Sequence, residues 1–185
     1  MLFRSGDANT TRLQTALQQA TPLQKVGIAY ALAKQKPDAM AAWKETLAEG
    51  LRNASPEVRQ QAVWAVGQLG PAGKPLARDL VQVLSKLNPD PREYFFGGGR
   101  LGRLSFDPSL ALVALGPEVK EALSEALESE DPRTRLMAGI ALVRIDPSTS
   151  TLVAPIFQQA RQETNQALRM VAEMNAAPTA PGATQ

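Results

Sequence analysis

The chain has no cysteine and no histidine in 185 residues. That removes disulfides, thiol nucleophiles, imidazole bases and Cys/His zinc sites. Any catalysis would have to run on carboxylates, lysine or tyrosine. Aromatic residues are few, at 5% of the chain. An excess of one charge sign is also missing: 20 Lys and Arg face 18 Asp and Glu, for a net charge of +2. General affinity for nucleic acid needs clustered positive charge, which this balance does not supply. No apolar run approaches the length of a membrane span. The start, Met1-Leu2-Phe3-Arg4-Ser5-Gly6-Asp7, lacks the apolar core of a signal peptide. A cytoplasmic location and no membrane partner are the default expectations. With 44% hydrophobic and 21% charged residues, the composition is that of a globular domain.

What is present is a repeated helix with its punctuation. Residues 55–71 begin with Ser55 as N-cap and Pro56 at the first helical position. Val58, Ala62, Ala65, Val66 and Leu69 follow on one face, and Gly70-Pro71 stops the helix. The template recurs at 21–37, where Thr21-Pro22, Lys25, Tyr30, Ala31, Leu32 and Pro37 match Ser55-Pro56, Arg59, Trp64, Ala65, Val66 and Pro71. It recurs again at 131–147, with Asp131-Pro132, Arg135, Ala138, Ala141, Leu142, Ile145 and Pro147. A half-length copy runs from Asp107-Pro108 to Leu115-Gly116-Pro117.

Between the copies lie amphipathic helices of a second kind. Residues 38–52 carry Met40, Trp43, Leu47 and Leu51 on one face, and residues 73–87 carry Leu76, Leu80, Val83, Leu84 and Leu87. Residues 118–128 carry Val119, Ala122, Leu123, Ala126 and Leu127, and residues 149–162 carry Leu152, Ile156 and Ala160. Outer helices are expected at 10–19 and 163–175. Residues 1–9 are expected to be disordered or artefactual, and 176–185, rich in Ala, Pro, Thr and Gly, to be a disordered tail. No run of period two suggests a strand. The expected fold is all-α: a stack of antiparallel helix pairs over 10–175, broken by an irregular insertion at 88–106.

The patterns Ser-Pro-x-Val-Arg-x-x-Ala-x-x-Ala-x-Gly-x-Leu-Gly-Pro (55–71) and Asp-Pro-x-x-Arg-x-x-Ala-x-x-Ala-Leu (131–142) resemble HEAT repeats, especially the bacterial HEAT-like form of phycobilin lyases. The resemblance covers about residues 10–175. It implies a curved αα-superhelix, a solenoid used mainly as a protein-binding scaffold, with the second helix of each pair lining the concave surface. It also implies that Lys25, Arg59 and Arg135 form a structural ladder between repeats rather than a basic binding stripe. The unpaired first and last helices suggest a fragment of a longer array.

Two regions are candidates for contact with a protein partner. In the first, Lys74, Arg78, Gln82 and Lys86 recur every four residues on one amphipathic helix, and Glu118, Glu121, Glu125 and Glu128 line the next. They are either solvated faces or a mixed-charge groove for a polar partner. The second is the insertion, where Tyr94, Phe95, Phe96 and Phe106 are interleaved with Arg92, Arg100 and Arg103. These residues either cover the gap left by the shortened helix or present the residue types that dominate interface hot spots. Gly97-Gly98-Gly99-Arg100-Leu101-Gly102 matches Gly-x-Gly-x-x-Gly formally. It lacks the βαβ surroundings and acidic ribose partner of a dinucleotide site, so nucleotide and other small-molecule binding is disfavoured. No cofactor and no metal site is expected. The function expected is a non-catalytic interaction scaffold. The resemblance offers two alternatives, a phycobilin-lyase-like enzyme subunit and a nucleic-acid-binding HEAT-like protein.

Overall fold

A computed structural model describes residues 4–86 and 108–175. Among them every regular element is a helix and no strand occurs. In chain order the α-helices are α1 (Arg4–Gln19), α2 (Pro22–Gln35), α3 (Lys44–Arg52), α4 (Pro56–Leu69), α5 (Ala77–Val83), α6 (Pro108–Leu115), α7 (Lys120–Ala126), α8 (Pro132–Ile145), α9 (Ser150–Gln162) and α10 (Gln166–Asn175). Short 3-10 turns at Met40–Ala42, Gly70–Leu76, Pro117–Val119 and Pro147–Thr149 lead into α3, α5, α7 and α9.

The even-numbered helices pack on one another in sequence, α2 on α4, α4 on α6, α6 on α8 and α8 on α10. In a second row α3 packs on α5 and α5 on α7. Small residues make the first row possible. Ala29, Ala62, Ala65, Ala138, Ala141 and Ala172 are all inaccessible to solvent, and an alanine leaves neighbouring backbones free to approach. α8, with neighbours on several sides, buries every residue from Leu136 to Leu142. The second row buries one stripe per helix: Leu47 and Leu51 on α3, Leu80 and Val83 on α5, Leu123 and Ala126 on α7, Val153 and Phe157 on α9.

Several expectations shift in detail. α1 starts at Arg4, so residues 4–9, expected to be disordered or artefactual, carry helical backbone. A helix nucleated further along extends at the cost of one residue at a time, so it can run on through Ser5, Gly6, Asp7 and Asn9 despite their low helix propensity. The helix expected at 38–52 begins its α-turns only at Lys44, and Met40, in the preceding 3-10 turn, stays 44% exposed. The helix expected at 73–87 opens as a 3-10 segment because Pro75 has no N–H to give to an α-turn. On α9 the buried stripe is Val153–Phe157–Ala160, whereas Leu152 is 59% exposed. Ser55 occupies the cap position of α4 without a side-chain cap bond; its N–H donates to Asn53 Oδ1 at 2.9 Å. Thr21 and Asp131 do cap, Thr21 in a reciprocal box with Gln24. Gly70 ends α4 at φ +55°, a region closed to most side chains.

A candidate partner-binding face

The 3-10 segment Gly70–Leu76 turns the chain from α4 into α5. Burying Ala77, Leu80 and Val83 leaves Arg78, Gln82 and Lys86 on the outside. α7 is built the same way: Leu123 and Ala126 face in, and Glu121, Glu125 and Glu128 face out. Because α5 packs on α7, the basic ridge of one lies beside the acidic ridge of the other. Two rungs join them. Lys74 Nζ donates to Glu118 Oε1, and Arg78 Nη2 to Glu125 Oε1 at 3.2 Å. Further pairs continue the line on either side, from Arg52 on α3 to Asp79 on α5 (2.9 Å), and from Lys120 on α7 to Asp146 at the end of α8 (3.0 Å).

Beyond the Arg78–Glu125 rung the ridges part around a cleft of about 580 Å³. Its α5 wall is Arg78, Val81, Gln82, Ser85 and Lys86. The opposite wall is Ala122, Glu125 and Ala126 of α7, continued by Ser129, Asp131 and Thr134. Val81, Ala122 and Ala126 supply an apolar floor. Asp131 is partly engaged as the α8 cap, its Oδ2 accepting from Thr134 N–H at 2.8 Å and Thr134 Oγ1 at 2.7 Å. The end of α5 is held from two directions. Arg133 Nη1 donates to the Ser85 carbonyl at 3.0 Å, and Arg59 Nη2 to the Lys86 carbonyl at 3.4 Å.

Two carboxyls are perturbed. The Lys74 ammonium, followed by a backbone N–H, holds Glu118 below its ordinary value of 4.5. The Ser148 hydroxyl, then Lys120, then the Ser148 backbone N–H, hold Asp146 below 3.8. Glu118 is exposed and Asp146 half-buried, and both are stabilised as anions, unlike the desolvated groups that mark a general acid or base. Among the described residues no group of three or more metal-ligating side chains occurs. Nor is any described helix long and apolar enough to cross a membrane.

The residues expected in the groove thus divide. Arg78, Lys86 and Glu125 line the cleft. Lys74 and Glu121 lie beside it on the ridges. Tyr94, Phe95, Phe96, Arg100, Arg103 and Phe106 of the insertion lie outside the described residues, as does the tail at 176–185. Sequence reasoning missed Ser129, Asp131 and Thr134 as cleft residues, because the cap signature of Asp131-Pro132 accounts for them without a cleft.

The ladder residues have a specific geometry. Arg59 Nη1 donates to the carbonyls of Asn53 (2.8 Å) and Ala54 (2.7 Å). Arg135 Nη1 reaches those of Ser129 (2.6 Å) and Glu130 (2.9 Å). Each clamps the turn before its own helix. Arg169 does the same to Glu163 (2.7 Å) and Thr164 (3.1 Å). Its place in the template was detectable: Asn165 stands where Ser55 does, four residues ahead of the arginine. Lys25, at the equivalent position of α2, is half-buried. Tyr30 and Trp64, also equivalent, pack in a tilted contact with ring centroids 5.1 Å apart and planes at 54°, and Trp43 is buried. These aromatics are packing residues.

The class that fold and face define is an all-α domain of paired, row-packed helices with a mixed-charge cleft. Comparison with protein-family models, curated proteins and solved structures returns no match to the chain.

Proposed function

We propose that the chain is a non-catalytic protein–protein interaction scaffold, an αα-superhelix of HEAT-like repeats that engages its partner through the α5–α7 face. The row α2–α4–α6–α8–α10, with α3–α5–α7 packed as a second row, is the kind of arrangement a solenoid uses. The recurrence of the arginine clamp at Arg59, Arg135 and Arg169 supports the same repeat unit. The observation that carries the functional reading is the pair of opposite-charge ridges flanking one open cleft on adjacent helices. A solvent-facing cleft with a polar rim and small apolar floor suits a macromolecular surface better than an enclosed substrate. The acidic ridge also repels a phosphate backbone, which weighs against the nucleic-acid alternative.

The test is capture of a stoichiometric protein partner from an extract of the source cell on immobilised full chain. The partner should be released by salt and lost with the double variant Arg78→Glu, Glu125→Lys. Turnover of a substrate with no retained protein would overturn the reading.

A further inference from the structure

We infer that the α5–α7 trough receives a partner α-helix whose charge is split lengthwise, with acidic residues along the edge facing α5 and basic residues along the edge facing α7. This rests on the scaffold reading and names the occupant. Arg78, Gln82 and Lys86 recur every four residues, Arg78 and Gln82 on α5 itself about 6 Å apart along its axis, and the glutamates recur every three or four residues. These are the intervals at which a helix presents its own edge residues. The floor between the ridges, Val81, Ala122 and Ala126, is small and apolar, so a face of alanine or similar size can seat on it. An extended segment has no comparable fit. Helices satisfy their own backbone groups, so the trough offers no ladder to the unpaired N–H and C=O groups of a strand.

Charge selects further. An all-acidic helix meets the Glu121–Glu125 edge, and an all-basic one meets Arg78 and Lys86. A split-charge helix meets attraction on both sides. The Arg78–Glu125 rung crosses the trough and has to open for the occupant to seat. Both side chains are largely exposed, at 75% and 57%, so they exchange one weak pair for two. Lys86, which has no ion pair among the described residues, gains one.

The full chain is titrated by NMR with three synthetic helical peptides of about 15 residues, each with one alanine face. One carries Glu on one edge and Lys on the other, one Glu on both, one Lys on both. The split-charge peptide is expected to shift the amides of Gln82, Ser85, Ala122 and Ala126 and to bind about tenfold more tightly than either of the others. In Arg78→Glu, Lys86→Glu both edges become acidic, and the preference moves to the all-Lys peptide. In Glu121→Lys, Glu125→Lys it moves to the all-Glu peptide. All these side chains are exposed, and unchanged circular dichroism checks that the fold is kept. Equal binding of the three peptides, a wild-type preference for the all-Glu peptide, or shifts confined to another face would each overturn the inference. So would concentration-dependent self-association that Arg78→Glu, Lys86→Glu abolishes, which would make a second copy the occupant. A natural partner still captured by both charge variants would refute this inference alone and leave the scaffold reading standing. Peptide selectivity without any captured protein would refute the scaffold reading alone.

Discussion

Replacing Arg135 by methionine isolates the turn clamp. Methionine keeps most of the apolar stem and removes the guanidinium. Lost with it are the two bonds from Nη1 to the Ser129 and Glu130 carbonyls, at 2.6 and 2.9 Å. A hydrogen bond to a charged group contributes about 1.5–3 kcal/mol. One nitrogen serves both acceptors here and the Glu130 carbonyl can rehydrate, so the pair together is worth about 2 kcal/mol. For a chain of this size that lowers Tm by about 4–8 °C, read by calorimetry at matched scan rate. Arg59→Met should cost at least as much, because Arg59 also reaches the Lys86 carbonyl at 3.4 Å. Arg169 makes the same clamp on α10, which packs only on α8 and α9 among the strongest helix contacts. Its loss should loosen α10 locally, seen as faster amide exchange there, with a smaller shift in Tm. If Arg135→Met moves Tm by less than about 1 °C, or if Arg169→Met costs as much as Arg135→Met, the clamp is not what fixes the junctions.

Leu142→Ala on α8, where the side chain is 1% exposed, should lower stability by about 2–5 kcal/mol in urea unfolding. Leu152→Ala on α9, 59% exposed, should stay within about 0.5 kcal/mol; a large loss there would contradict the helix phase. Gly70→Ala should cost about 1–3 kcal/mol, because φ +55° with ψ −135° is a backbone conformation that residues with a Cβ rarely adopt. Glu118 and Asp146 are held below 4.5 and 3.8. Their stabilising contributions are therefore full above those values and are lost as pH falls through the lower folded-state midpoints. Carboxyl carbon titrations should place both midpoints below the ordinary values. Lys74→Ala should return Glu118 towards 4.5, and Ser148→Ala should raise Asp146 more than Lys120→Ala does; midpoints already at or above 4.5 and 3.8 would contradict the contacts.

The helices were legible where local chemistry decides them. Pro at the first turn, a side-chain cap at Thr21 and Asp131 and a Pro shortly behind each helix act within a few residues, and α2, α4 and α8 begin at their prolines as that chemistry requires. The phase of α9 was not legible, because its sequence carries two overlapping stripes, Leu152–Ile156 and Val153–Phe157. Packing against α8 decides between them: Val153 is buried beside Gly139, where a Cβ would stand in ordinary contact 3.5 Å from Val153 Cβ. That contact joins residues distant in the chain, and no local pattern contains it.

The candidate face divides along the same line. Each ridge is a local fact, because charges four apart on an amphipathic helix must share its solvent side. That the ridges meet as rungs, Lys74 on Glu118 and Arg78 on Glu125, depends on the axial register of α5 against α7. Gly73 shows what sets it. A Cβ there would come within 2.8 Å of Leu115 Cδ2 and 3.0 Å of the Val66 carbonyl, so a side chain would push the 3-10 segment away from α4 and α6. Lys74 and Pro75 follow directly, and the whole basic ridge is carried at the height that this contact fixes. Gly73→Ala should therefore do more than destabilise. By lifting the segment off Val66 it should break the Lys74–Glu118 rung while leaving the helices formed. The separate signature is a Glu118 midpoint that returns towards 4.5 with far-ultraviolet circular dichroism unchanged. A destabilised protein that keeps its depressed Glu118 would show that the register is set elsewhere.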